Sequence, residues 1–151
     1  MLLAGSCRKS KVSEKDEPGE RSRIMARVRS AHTGPEIAVR KLLYALGYRY
    51  RLHARELPGK PDVVFRSRRK VIFINGCFWH QHSCKRGRRI PKTRRDYWLP
   101  KLRGNRRRDA VNLNRLKISG WSTLVIWECQ LSDLAKVARR LREHLGGGAA
   151  A

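Results

Sequence analysis

Val71-Ile72-Phe73-Ile74-Asn75-Gly76-Cys77-Phe78-Trp79-His80-Gln81-His82-Ser83-Cys84 is the stretch around which the chain is organised. Residues 71–74 are an apolar run, as expected of a strand buried on both faces in the middle of a sheet. Gly76 supplies a turn. Two cysteines, two histidines, a Phe and a Trp then fall within eight residues, 77–84. Packing alone does not call for that mixture. Thiolate and imidazole are the usual zinc ligands, and large aromatics beside them are suited to stack on bases or wedge between them. Three other places connect to this stretch: PGKPD at 58–62, the basic segment 85–108, and WEC at 127–129.

The totals narrow the class of partner. The chain has 151 residues, which suits one domain with tails. A domain of this size buries roughly two-thirds of its unfolded surface and needs no disulfide staples. The formal net charge is +24, from 36 Lys and Arg against 12 Asp and Glu. Self-repulsion on that scale is relieved by a polyanion, and nucleic acid is the expected partner. An anionic membrane competes, but the charge is not gathered on one amphipathic helix. No apolar run approaches a membrane span, and MLLAGSC lacks the basic start and apolar length of a signal peptide. The expectation is a cytoplasmic protein, monomeric, with reduced thiols. Of four cysteines, Cys7 lies in a polar tail, which leaves Cys77, Cys84 and Cys129 as an odd three. That number suits a metal better than a disulfide framework.

Periodicity gives the elements. Residues 1–20 read as a disordered tail. Residues 21–30, RSRIMARVRS, read as a short helix or an arm, and Arg21 and Arg23 with their basic neighbours suit an arm that tracks DNA. Thr33 and Glu36 have capping-box spacing, with Val39, Leu42, Leu43 and Leu46 inward and Gly47 as the stop. Residues 48–53 alternate Tyr48, Tyr50 and Leu52 against Arg49, Arg51 and His53, a half-buried strand. Asp62 opens a second strand, 62–65, and RSRRK forms a charged hairpin loop before the third strand. Residues 85–108 carry twelve Lys and Arg and one acid, Asp96, without helical or strand period. A helix is expected around Asp109, with Ala110, Leu113, Leu116 and Lys117 on one face, ending at Gly120. Residues 121–127 form a fourth strand. Ser132 is expected to cap a last helix with Leu134, Val137, Ala138, Leu141 and Leu145 inward, and 146–151 read as a flexible tail. The order α-β-β-β-α-β-α implies an α/β fold, a mixed sheet with helices on its faces. It resembles the core of restriction-endonuclease-like nucleases, where a helix acid, an Asp opening the second strand and a residue on the third strand converge.

Several residues carry chemistry in this arrangement. Asp62 follows Pro61 and is either a turn carboxylate or, with Glu36 on the preceding helix, a magnesium site at a phosphodiester. His80 and His82 can diverge in a turn, one toward a metal and one toward substrate. Cys77, His82, Cys84 and an incoming Cys129 would form a closed tetrahedral set, and so a structural zinc site. The competing reading is three free cysteines and a surface histidine.

Here a family resemblance becomes specific. GKPDVVF, VIFINGCFWHQHSC, RRDYWLPKLRGNRRRD and GWSTLVIWECQL together resemble the very-short-patch mismatch repair endonucleases, the Vsr family, in collinear order over about residues 21–145. The resemblance implies an endonuclease domain over 21–145 that nicks double-stranded DNA 5′ to the thymine of a T:G mismatch left by deamination of 5-methylcytosine. It implies Asp62 as a magnesium ligand and Ile74 as another through its backbone carbonyl. His80 corresponds to the histidine that activates or positions water, Asp109 to the acid supporting it, and Glu36 to a further active-site acid. Cys77, His82, Cys84 and Cys129 correspond to zinc ligands. Phe78, Trp79 and Trp98 correspond to the aromatics that enter the base stack, and the arm around Met25 to a segment that clasps DNA. Mismatch-repair proteins are candidate further partners. Two departures stand out: Asn75 replaces a histidine that relatives can carry, and 85–91, KRGRRIP, is unusually basic. Two other readings are a non-catalytic, zinc-stapled nucleic-acid-binding module and a restriction or structure-specific nuclease on the same core.

Overall fold

The computed structural model describes residues 32–146. Arg21, Arg23, Met25 and the two expected tails, apart from Gly146, lie outside the described residues. The first helix, α1 (Gly34–Ala45), forms where the capping signals place it. Thr33 Oγ1 accepts from the Glu36 N–H, and Pro35 occupies the first turn, where it removes no helical bond. Gly47, with φ +85°, and the bond from Tyr48 N–H to the Leu43 carbonyl close the helix in the usual left-handed stop.

Among the described residues the sheet has four strands in sequential order: β1 (Arg51–Leu52), β2 (Val63–Phe65), β3 (Lys70–Asn75) and β4 (Ser122–Trp127). The first three are antiparallel, and β4 runs parallel to β3. The apolar run of β3 is therefore internal, as its composition demands. The strand expected over 48–53 is shorter than its alternation suggests. Only Arg51 and Leu52 pair, opposite Val64 and Val63, and both are exposed. Tyr48 is taken into the helix stop, and His53 has a left-handed φ of 48° that ends the strand.

A parallel neighbour requires a long crossover, and this one contains the main correction. The helix α2 spans Arg95–Ile118, 24 residues, and begins fourteen residues before Asp109. Only Leu102 and Leu116 are buried along it; Leu113 is half-buried, and Ala110 and Lys117 are exposed. The segment lacks an apolar period because its inward row is made of Trp98, Leu102, Asn105, Asp109 and Leu116, several of which bond rather than pack. Pro100 in the second turn forgoes one backbone bond, and the residue at the N-cap, Arg94, has no capping oxygen.

The last helix, α3 (Leu134–Leu145), is capped by Asp133, whose Oδ1 accepts from Lys136 N–H at 3.1 Å. Ser132 instead lies in a 3-10 turn (Glu128–Ser132) and donates to the Cys129 carbonyl. Leu134, expected inward, is 48% exposed, because helix entry at Asp133 turns it outward; Val137, Ala138, Leu141 and Leu145 are buried. Helices α1 and α3 pack on one sheet face through Val39, Leu43, Val63, Ile72, Ile126 and Leu141. Leu116 of α2 meets Val64 and Val71 on the other. Each such side chain, fully buried, stabilises by about 1.5–3 kcal/mol relative to exposure.

Candidate active site and metal-binding cluster

Asp62 stands just before β2, after a turn that leaves Gly59 at φ +75°. A Cβ at Gly59 would lie 3.0 Å from Asn112 Cβ and 3.2 Å from a Phe73 ring carbon, so the turn presses directly on α2 and β3. The Asp62 carboxylate crosses to β3 and accepts from the Ile74 N–H at 2.7 Å. Ile74, expected to offer its carbonyl to a metal, thus meets Asp62 through its amide. Burial pushes the Asp62 carboxyl up to about 6. The Ile74 N–H opposes that rise, Glu36 adds to it, and Arg40 and His80 pull back.

Glu36, in the first turn of α1, is 3% exposed. It accepts from the His32 N–H at 2.9 Å, the Thr33 hydroxyl at 3.2 Å and Arg40 Nη2 at 3.0 Å. His53, absent from the sequence-based site, joins it: oxygen or nitrogen atoms of Glu36, His53 and Asp62 all lie within 4.8 Å of one another. Two carboxylates and an imidazole are donors suited to a hard or borderline divalent ion.

His80 sits in the turn after β3, its N–H bonded to the Gly76 carbonyl at 3.2 Å. Its Nδ1 is 2.5 Å from Asp109 Oδ2 on α2. One helical turn earlier, Asn105 Nδ2 donates to the Trp79 carbonyl at 3.0 Å. Two successive turns of α2 therefore fix the peptide and the ring of one loop. Asn75 closes β3 opposite Trp127.

The parallel pairing also builds the cysteine cluster. Asn75 and Trp127 are register partners, so Cys77 and Cys129, each two residues beyond, leave the sheet side by side. Cys129 N–H donates to Cys77 Sγ at 3.4 Å, and Gly87 N–H to Cys84 Sγ at 3.4 Å. His82 Nδ1 lies 3.4 Å from Cys129 Sγ and 3.9 Å from Cys77 Sγ. Ligand bonds of 2.0–2.3 Å at tetrahedral angles imply thiolate–imidazole edges of roughly 3.5 Å. All four donor atoms lie within 4.8 Å of one another, so the set can hold a zinc ion. Burial pushes the Cys77 thiol up to about 12, whereas the Gly87 N–H and His82 bring Cys84 down to about 6. The His82 ring is stacked on Trp127, 4.4 Å between centroids.

The aromatics form one patch beside this cluster. Phe78 and Trp79 are half-buried and lean on each other at 5.1 Å; Trp98 lies 5.8 and 5.9 Å from them. Tyr97 extends the patch, and the Lys101 ammonium lies within 6.0 Å of the Trp79, Tyr97 and Trp98 rings.

Comparison with known proteins bears on the same stretch. The family model described as DNA mismatch endonuclease Vsr matches residues 13–86. A type II nicking enzyme of Xanthomonas oryzae, V.XorIIP, is 49% identical over 134 residues, 89% of this chain and 98% of its own length. The DNA mismatch endonuclease Vsr of Escherichia coli is 36% identical over 146 residues, 93% of either chain. The chain belongs to the Vsr family of DNA mismatch endonucleases. A type II nicking enzyme of Neisseria meningitidis, V.NmeAIP, is 43% identical over 81% of this chain.

Beyond the residues singled out from the sequence, the structure adds Arg40, His53, Tyr97, Lys101, Asn105 and Trp127 to the sites. Gly87 is a further addition. A Cβ there would lie 2.0 Å from the His82 carbonyl oxygen, so the loop that carries His82 and Cys84 closes only over glycine. Gly87→Ala is expected to lower stability by on the order of 1–3 kcal/mol and to weaken metal retention at Cys84 and His82. Thermal denaturation with metal analysis of the purified variant checks this. An unchanged melting temperature with full metal content would show that the loop relaxes freely.

Proposed function

We propose that this Vsr-family protein cuts one strand of double-stranded DNA 5′ to the thymine of a T:G mismatch, by magnesium-dependent hydrolysis. The reading places the fold among the restriction-endonuclease-like nucleases, with residues 21–145 as the catalytic domain acting as a monomer in the cytoplasm. Among the described residues no helix is long and apolar enough to cross a membrane. Residues 1–20 and 146–151 are proposed as tails, and the arm carrying Arg21, Arg23 and Met25 as a DNA clasp. Mismatch-repair proteins are proposed as further partners.

The observation that carries the reading is a half-buried carboxylate, Asp62, within electrostatic reach of His80, whose ring bonds Asp109, beside an aromatic patch. Asp62 and Ile74 would hold the magnesium, which supplies charge neutralisation at the scissile phosphate and the leaving 3′-oxygen. Glu36 sits behind Asp62. Asp109 accepts from His80 Nδ1, which leaves Nε2 to accept a proton from water. Zinc on Cys77, His82, Cys84 and Cys129 would be structural, since those four ligands close the tetrahedron.

The wedge has an energetic basis. Unstacking a base step costs a few kcal/mol, and least at a mismatch. Phe78, Trp79 and Trp98 form one supported surface against which a base can stack. Trp79→Ala is expected to weaken binding to a T:G duplex by about 1–3 kcal/mol, roughly fivefold to 150-fold in Kd, and binding to matched duplex much less. Equal loss on both duplexes would assign the ring to packing. The functional reading as a whole is tested by single-strand cleavage of labelled duplexes. T:G and T:A versions of one sequence are compared, with and without magnesium. Cleavage only of T:G supports it. Equal cleavage of the matched duplex would favour a sequence-directed nicking enzyme, and no cleavage would favour a binding module.

A further inference from the structure

Arg40 lies one turn after Glu36, with its side chain 12% exposed. Its Nη2 donates to Glu36 Oε2 and to His53 Nε2, each at 3.0 Å, and its Nη1 to His32 Nδ1 at 2.9 Å. Its Nε is buried and hydrogen-bonded to nothing. A guanidinium can only donate. Both imidazoles therefore present lone pairs to it, and neither of those nitrogens is free to bind a metal. Without Arg40, the donors of Glu36, His53 and Asp62, all within 4.8 Å, would be a ready set for a divalent ion.

We propose that Arg40 is a built-in cation standing where a second divalent ion would otherwise bind, so that Glu36 and His53 are tied to the guanidinium and a single metal position remains at Asp62. This rests on the reading of Asp62 as a metal ligand. The guanidinium charge is fixed at any pH of interest. It neutralises Glu36 permanently, without depending on metal concentration. In this arrangement Arg40 and His53 are positioning residues, because they act on the site through Glu36 and make no contact assigned to DNA.

The test is Mn2+ binding to the full-length, zinc-loaded protein without DNA, read by electron paramagnetic resonance. Mn2+ accepts both carboxylate and imidazole ligands. Wild type is expected to take one ion. Arg40→Gln is expected to take a second, or to bind Mn2+ at least about tenfold tighter, and adding His53→Ala should remove the gain. Arg40→Lys, which keeps the charge, should show no gain. His53→Ala alone should still take one Mn2+ ion with an unchanged signal, because its nitrogen is already engaged by Arg40.

Absence of a gain in folded Arg40→Gln overturns the proposal. So does an imidazole-nitrogen coupling in the wild-type Mn2+ signal that disappears in His53→Ala, since His53 would then already be a ligand. If Arg40→Gln fails to fold, the His53→Ala measurement in the wild-type background decides between the two. Asp62→Asn separates this from the underlying reading. If it binds Mn2+ like wild type, Asp62 is not the metal ligand, and the premise falls whatever the Arg40 variants do.

Discussion

Asp62→Asn is expected to reduce single-turnover nicking of a T:G duplex by roughly a thousandfold or more, because the charge that holds a metal at phosphate contributes several kcal/mol to the transition state. The substitution removes a charge and keeps the shape. Asparagine Oδ1 can still accept from the Ile74 N–H, the bond that now measures 2.7 Å. Fold and zinc content should therefore be preserved. Binding to DNA without magnesium should be equal or tighter, since a carboxylate facing phosphate repels it. The stability effect has a definite sign. Asp62 titrates at about 6 in the folded protein, above its ordinary 3.8, so burial favours its protonated form. That contribution is present below the unfolded value and is lost as pH rises through about 6. Without magnesium, Asp62→Asn should melt at or above the wild-type temperature at pH 7–8, and the advantage should disappear near pH 5. His80→Ala is the companion variant. Loss of a general base should cost on the order of 10²–10⁴-fold in rate. Wild-type nicking by Asp62→Asn would place the active site elsewhere.

The sequence was most legible where local chemistry and tertiary packing agree. Helix α1 announces itself by Thr33, Glu36 and Gly47 around an apolar period, and β3 by four consecutive apolar residues. Helix α2 does not. Over 95–108 its inward positions are held by residues that serve the loop they face: Trp98 against Phe78 and Trp79, and Asn105 on the Trp79 carbonyl. A helix whose inner face bonds to a loop has no apolar period to read, and its Arg-rich outer face resembles a linker. The same limit applies to the site. Glu36, Asp62, His80 and Asp109 come from motifs, and the structure brings them into two adjacent groups. Arg40 and His53 come from no motif. Their connection spans thirteen residues and depends on the left-handed turn at His53, which alternation alone places in a strand. Gly87 is invisible for a similar reason, because only the folded path of the loop shows that a methyl group would strike the His82 backbone.

Cys129→Ser is expected to release zinc and destabilise the fold together. Cys129 arrives from β4, whereas Cys77, His82 and Cys84 belong to the loop after β3, so the metal would tie two strand ends and the crossover between them. Structural zinc binding in small domains is worth about 10–16 kcal/mol in apparent free energy, and much of it becomes folding free energy. This domain has its own core of buried Val, Ile and Leu on both sheet faces, so loss of zinc should loosen the loop before the sheet. The expected result is about one zinc per wild-type chain and little in Cys129→Ser, with a clear fall in melting temperature. Without metal, Cys77 would remain a buried thiol, pushed up to about 12, beside a Cys84 that ionises near 6. Only a divalent cation makes three clustered thiolates compatible. His82→Ala should behave like Cys129→Ser. His80→Ala should keep its zinc, because its ring nitrogen is bound to Asp109 and lies outside the four-donor cluster. Loss of zinc from His80→Ala but not from His82→Ala would reverse the assignment of the two histidines. A wild-type protein purified without chelator and carrying no zinc would remove the metal from the fold altogether.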